Sequence, residues 1–181
     1  MPKKKSLPER PQSVAAEPIV SSSHLAIGRS AELSEFEYGL ILASNAFNRW
    51  AVRCMGATGM KDMTITDVLV LHHINHRARE KKLADIAFTL NIEDTHVVNY
   101  SLKKLVGLGL VKTERRGKEV LYSTNETGQA VCKRYFEIRE RVLVSNLLGT
   151  EDERLELREA ARFLRRLSGL YDQAARAATS L

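Results

Sequence analysis

Three of the chain's five histidines fall within six residues, "LHHINH": His72, His73 and His76. Imidazoles four residues apart share a helix face, so His72 and His76 are a workable pair of metal ligands. A zinc site needs at least a third ligand, and catalytic zinc helices add a neighbouring Glu as base. The stretch contains no Glu, and Leu71 and Ile74 lie on its other side as core candidates. The competing reading is a plain helix surface, or packing between subunits. The two cysteines, Cys54 and Cys132, form no C-x-x-C, which argues against a disulfide framework or a Cys-based zinc site. A thiol senses oxidants when a nearby cation lowers its pKa, and only Arg53 and Lys133 adjoin these two in sequence. No cofactor is expected.

A second set of residues offers different chemistry. In "THVVNYSLKKL", Val98, Leu102 and Leu105 stand at i, i+4, i+7 and make a core stripe. His96, Asn99, Tyr100 and Lys103 hold the opposite face, with Thr95 at the helix start. Asn can bond adenine at N6 and N7, Lys can bond guanine or phosphate, and a Tyr hydroxyl can reach phosphate. The free N–H groups at a helix N-terminus favour a phosphate near Thr95. The alternative is an ordinary solvated helix face. Four cations follow soon after: Lys112, Arg115, Arg116 and Lys118, the last three crowded around Gly117. Cations on one small hairpin suit a phosphate backbone or a minor groove.

The surrounding pattern says what must position these groups. All four prolines lie in the first 18 residues, with Lys3-Lys4-Lys5 and Ser21-Ser22-Ser23, which reads as a flexible basic tail over residues 1–28. From Ala31 the apolar residues Leu33, Phe36, Leu40, Ala43, Phe47, Trp50 and Cys54 alternate spacings of three and four, the stripe of a helix that wants a helical partner. Thr64 caps a second helix that is expected to reach about Arg79. A short third helix covers residues 82–90, and Asp94 caps a fourth over 95–108. The period then shortens to that of two strands, about 110–115 and 119–124. A fifth helix runs to about Leu148. The last, over 151–178, carries Leu157, Ala160, Leu164, Leu167, Tyr171, Ala174 and Ala178 at heptad spacing. The domain plan is therefore a tail, a first helix over 29–60, a central region 61–125 and a helical pair over 126–181.

With 181 residues and a 44% hydrophobic share the chain can bury one core. Its net charge of +6 favours an anionic partner such as nucleic acid, weakly on its own. No signal peptide and no membrane span are expected, so the chain is placed in the cytoplasm, on the nucleoid. Nothing matches a phosphate-binding Gly loop, G-x-S-x-G or H-E-x-x-H, and an enzyme is not expected.

Helix, short helix, turn, helix, hairpin is the order of a winged helix-turn-helix, and the fold class is mainly α with a small β-hairpin wing. The stretch "LADIAFTLNIEDTHVVNYSLKKLVGLGLVKTERRGKEVLYSTNETGQAV" resembles the DNA-binding core of the MarR family of bacterial transcription regulators. "LADIAFTL" matches the first helix of the motif and "THVVNYSLKKLVGLGLV" the recognition helix and first strand. "LYSTNETGQAV" is similar to the family's passage from strand into the next helix. With the flanking helices the likeness covers about residues 31–178. It departs at the wing, which is shorter than usual and reads "ERRGKEV" where the family carries Asp-x-Arg. The turn "LNIEDTH" is about one residue longer.

The resemblance implies an obligate homodimer on double-stranded DNA, with the terminal helices interlocked and two winged helices gripping one pseudo-palindrome. The residues expected at that dimer contact are Leu33, Phe36, Leu40 and Phe47, with Leu157, Leu164, Leu167 and Tyr171. It also implies a repressor, and a small-molecule effector, often an aromatic acid, as in many members. The reading kept beside it is a protein-interaction module that retains the winged helix as a scaffold.

Overall fold

The computed structural model describes residues 18–147 and 149–181. Most of the expected basic tail, including Lys3-Lys4-Lys5, lies outside the described residues. The chain divides into two compact units, one ending at Arg49 and the other running from Trp50 to Leu181.

In the first unit two short 3-10 turns, Ser23–Leu25 and Gly28–Ser30, lead into helix α1, Ala31–Ala57. The buried Ser34 hydroxyl donates to the Leu25 carbonyl at 2.6 Å and closes this lead-in. Of the stripe on α1, Leu33 and Phe47 stay about half exposed, at 47% and 51%, and Phe36 and Leu40 are half-buried. Helix α1 continues into the second unit, where Ala51, Cys54 and Met55 are buried.

The second unit is built around α2, Ile65–Asn75. Thr64 and Asp67 form a reciprocal capping box at its start, satisfying two otherwise orphaned N–H groups. Val68, Val70, Leu71 and Ile74 are all buried, so α2 is a central helix and not a half-wet one. Each such side chain contributes about 1.5–3 kcal/mol on burial. Leu71 and Ile74 occupy the core positions expected of them.

Helix α2 stops at Asn75, four residues short of the expected end. A 3-10 turn, His76–Ala78, follows, with Arg77 in the left-handed region at φ 61°. The Lys81 ammonium donates to the carbonyls of His76 at 2.7 Å and Arg79 at 3.2 Å, which satisfies groups that a longer helix would have paired internally. Lys81–Lys82 then forms a strand, β1, that sequence reasoning missed. Two residues are too few to show an alternating pattern.

Helix α3, Leu83–Thr89, and helix α4, Thr95–Gly107, are joined by a turn in which Asn91 takes φ 52°. Strands β2, Val111–Arg116, and β3, Glu119–Thr124, pair antiparallel, and β1 adds to the far side of β3, giving the order β1-β3-β2. Helix α5, Glu126–Arg139, leaves the sheet through an Asn125 cap. Gly128 there is so close to the Leu110 carbonyl that an added Cβ would overlap it. The expected single helix to about 148 is interrupted by a π-helical turn, Glu140–Val144, followed by a short α6, Ser145–Leu147; Leu148 lies outside the described residues.

Helix α7, Glu151–Ala178, is capped by a second box, Thr150 with Glu153, and none of its residues is buried. Among the described residues no helix is long and apolar enough to cross a membrane.

Candidate nucleic-acid interface

Helix α4 begins where the Asp94 carboxylate accepts from the His96 N–H at 2.8 Å. That cap and the tight turn at Asn91 orient the helix before any tertiary contact is counted. Val98, Ser101, Leu102 and Leu105 face inward and are buried. Thr95, His96, Tyr100 and Lys103 face solvent, and Asn99 is half-buried beside them. The polar face expected from the sequence is thus the outward one. Tyr100 is 70% exposed, well beyond what an aromatic ring takes up for packing alone.

What holds α4 in place was not legible in the sequence. The Asp67 side chain is fully buried on α2, and the Lys104 ammonium of α4 donates to its Oδ2 at 2.7 Å. The same oxygen accepts from the Thr64 N–H at 2.8 Å. Burial alone would raise the Asp67 pKa. Hydrogen bonds from Lys104 and Thr64 outweigh it and hold the carboxyl below its ordinary range. Removing one partner of a buried pair costs about 3–5 kcal/mol, whereas replacing both with apolar groups is often neutral. In sequence Asp67 is simply the acid in the first turn of α2. Its partner lies 37 residues away, and no local pattern links the two.

The wing divides its cations into two kinds. Register pairs Arg116 with Glu119 across the turn, and Gly117 takes φ 62° at the tip. Arg116 donates to Glu80 at 2.9 Å and to Glu114 at 2.7 Å. The Arg116 hydrogen bond holds the Glu114 carboxyl below its usual value. Lys82 of β1 meets Glu119 of β3 at 2.6 Å. Lys112, Arg115 and Lys118 are exposed and make no ion pair among the described residues. Glu80 and Glu114 had not been singled out in the sequence, although Glu114-Arg115-Arg116 places a carboxylate two residues from a guanidinium on one strand face.

The histidine cluster comes apart. His76 follows the last residue of α2 and is exposed, so it no longer shares a helical face with His72. His72 packs edge-on against Tyr135 of α5, with ring centroids 4.4 Å apart, and burial pushes its pKa down. Among the described residues no group of three or more His, Cys, Asp or Glu could hold a metal ion. Cys54 and Cys132 are both buried; burial raises the Cys54 thiol, against a lowering by Arg139, and pushes Cys132 up to about 11. Thiols held protonated in this way are poor nucleophiles.

Residues 63–128 match a family model described as a winged helix DNA-binding domain. Solved structures extend the likeness to the flanking helices. AbfR of Staphylococcus epidermidis superposes with a TM-score of 0.62 at 18% identity, over 77% of this chain and 95% of that one. The transcriptional regulator BldR from Sulfolobus solfataricus gives 0.62 at 15% identity, over 77% and 99%. A cysteine-to-serine mutant of MarR from E. coli, complexed with operator DNA, gives 0.61 at 18% identity, over 76% and 98%. The chain has a MarR-type winged-helix fold. No curated protein sequence matches it. Within this fold α3 and α4 occupy the helix-turn-helix positions and β2–β3 the position of the wing. The solvent-facing polar side chains, and the cations that make no ion pair among the described residues, therefore lie on α4 and the hairpin.

Proposed function

We propose that this chain is a homodimeric, sequence-specific transcriptional regulator, a repressor, that binds a pseudo-palindromic operator. The observation that carries this reading is the pairing of an outward polar face on α4 with a wing whose Lys112, Arg115 and Lys118 are exposed and make no ion pair among the described residues. In this reading Asn99 and Lys103 read base edges in the major groove, while Thr95, His96 and Tyr100 set register through phosphate and sugar. Lys112, Arg115 and Lys118 supply the salt-dependent attraction of the wing. Arg116 acts differently from its neighbours, since two carboxylates already engage it.

The dimer half of the proposal is supported by apolar surface left open on single helices. Leu157 and Leu164 are 43% and 42% exposed on α7, with Leu167 and Tyr171 half-buried on the same stripe. Leu33 and Phe47 on α1 are open in the same way. A 28-residue amphipathic helix with nothing buried calls for a partner surface. The segments 29–60 and 126–181 would then be the dimerisation parts, and 61–125 the DNA-binding part. The protein would act in the cytoplasm, on the nucleoid. A small-molecule effector has a candidate berth in the cleft of about 350 Å³ lined by His72, Asn75, Cys132, Tyr135, Phe136 and Arg139, where His72 Nε2 is buried without a hydrogen-bond partner among the described residues. A thermal-shift screen of small organic acids tests it, and loss of any hit in His72→Phe places the ligand there.

The experiment for the main proposal is titration of the chain against its own promoter region and against unrelated DNA, at several salt concentrations. Tight, salt-sensitive binding with a preference for the promoter is the expected result. Binding to neither DNA, in protein that is folded, excludes the reading and favours the protein-interaction module.

A further inference from the structure

We infer that the Asp67–Lys104 pair is a positioning device that sets the roll and axial placement of helix α4, and so decides whether its outward side chains register with bases. The inference rests on the DNA-binding reading for its consequence, though not for its geometry.

Apolar packing fixes the distance of α4 from its neighbours better than it fixes its roll. Val98, Leu102 and Leu105 press α4 against the core and hold its distance from α2. Such contacts are non-directional, so a small roll or slide costs them little. Base readout is far less forgiving. With side-chain tips about 6 Å from the helix axis, a roll of roughly 10° displaces them by about 1 Å, enough to spoil a bidentate hydrogen bond.

The Lys104 ammonium is tied in a directional way at two points. It donates to Asp67 Oδ2 at 2.7 Å and to the backbone carbonyl of Asp62. Asp62 is one of three non-glycine residues among those described with a positive φ, 62°, which turns the backbone ahead of α2. The Asp67 carboxylate is itself immobilised, because its Oδ2 also accepts from Thr64 N and the Thr64 hydroxyl accepts from Asp67 N. Lys104 is thus fastened to the N-terminal cap of α2, and through it the last turns of α4 are fastened as well. Lys103, adjacent in sequence, points to solvent on the proposed reading face.

Stability alone does not account for the pair. A buried ion pair is commonly no more stabilising than well-packed apolar residues of the same volume, while it excludes alternative arrangements in which the charges would be unpaired. Asp67 is fully buried, so a slipped α4 would strand its carboxylate.

The test uses the full-length chain and three variants: Asp67→Asn, Lys104→Met and the conservative Lys104→Arg. Two measurements are made on each. The first is amide hydrogen exchange in α4 relative to α5 in the free protein. The second is the ratio of affinities for the promoter DNA and for unrelated DNA. In Asp67→Asn and Lys104→Met, exchange in α4 should rise selectively. The affinity ratio should fall by roughly tenfold or more, the scale of one lost bidentate base contact. Affinity for unrelated DNA should change little, and Lys104→Arg should keep both wild-type properties. Exchange that rises equally in α4 and α5, or a ratio within about threefold of wild type, overturns the inference, because the pair is then only a stabilising contact. If the wild-type chain shows no promoter preference, the DNA-binding reading fails, and the exchange measurement alone decides whether the pair positions α4.

Discussion

Arg116 at the tip of the wing is bound to Glu80, which lies ahead of β1, at 2.9 Å. With Glu114 as a second acceptor, this guanidinium ties the end of the hairpin to the chain that enters the sheet. A cation already engaged releases fewer DNA counter-ions than a free one. We expect Arg115→Ala and Lys118→Ala each to reduce the slope of log affinity against log salt by about 1. Arg116→Ala should change the slope less, because it also frees Glu114 and Glu80 to repel phosphate and weakens binding by that route. Equal slope losses for Arg115 and Arg116 in fluorescence anisotropy titrations would count against this division of labour.

Asn99 stands half-buried between the core and the outward face of α4. Its amide is short and held close to the helix, as suits a bidentate contact to adenine. Asn99→Ala should cost about 1–3 kcal/mol at the cognate base pair and relax the preference there, with little effect on unrelated DNA. A uniform loss across sequences would assign Asn99 to phosphate contact instead.

Gly128 admits no side chain because the Leu110 carbonyl occupies the space. The obstacle is backbone, which cannot swing aside as a flexible side chain would. Gly128→Ala should destabilise the domain by about 3 kcal/mol, at the upper end of overpacking effects, and lower the midpoint of thermal unfolding by several degrees. An unchanged midpoint in differential scanning calorimetry would show that α5 can shift away from the sheet.

The half-buried His72 and the fully buried Asp67 predict how stability depends on pH. Burial lowers the His72 pKa from its ordinary 6.5, so the unfolded chain takes up a proton before the folded one does. Stability should therefore decline as pH falls below about 6.5, and His72→Phe should flatten that part of the curve. Asp67 is also lowered, from 3.8, so its stabilisation is complete above that value and is lost as pH falls through the folded value. Asp67→Asn should be less stable at neutral pH but lose less between pH 4 and the acid limit. Denaturant titrations across this range read both effects.

Leu157 and Leu164 lie one heptad apart on α7 and are each more than two-fifths exposed. Leu164→Glu should convert a dimer of about twice 20.4 kDa into monomer in light scattering at micromolar concentration. A wild-type chain that is already monomeric would remove the basis of the interlocked-helix proposal.

Much of the fold was legible because it rests on local patterns. The apolar stripe on α4, the Asp94 cap and the glycine at the wing tip are each set by residues within a few positions of one another. The α2 boundary was not, because its end depends on Lys81 reaching back to the carbonyls of His76 and Arg79. Strand β1 exists through pairing with Tyr122 and Leu121, about 40 residues on, and carries no pattern of its own. The outward polar face was readable in the same way as the core stripe. The pairings that sort the cations, Arg116 with Glu80 and Lys104 with Asp67, join elements distant in sequence and became visible only in three dimensions.

Helix α7 carries one more consequence. It spans 28 residues and buries none of them, and its contacts include a capping box, surface pairs such as Glu151 with Arg158 and a hydrogen bond from Asn91 to Ser168 at 3.5 Å. Solvent-exposed contacts of this kind contribute little in water, so the helical state of α7 depends on whether its apolar face is covered. Its helicity then works as a gauge: circular dichroism or exchange in this one element reports whether that face is covered, ahead of any change in the globular core.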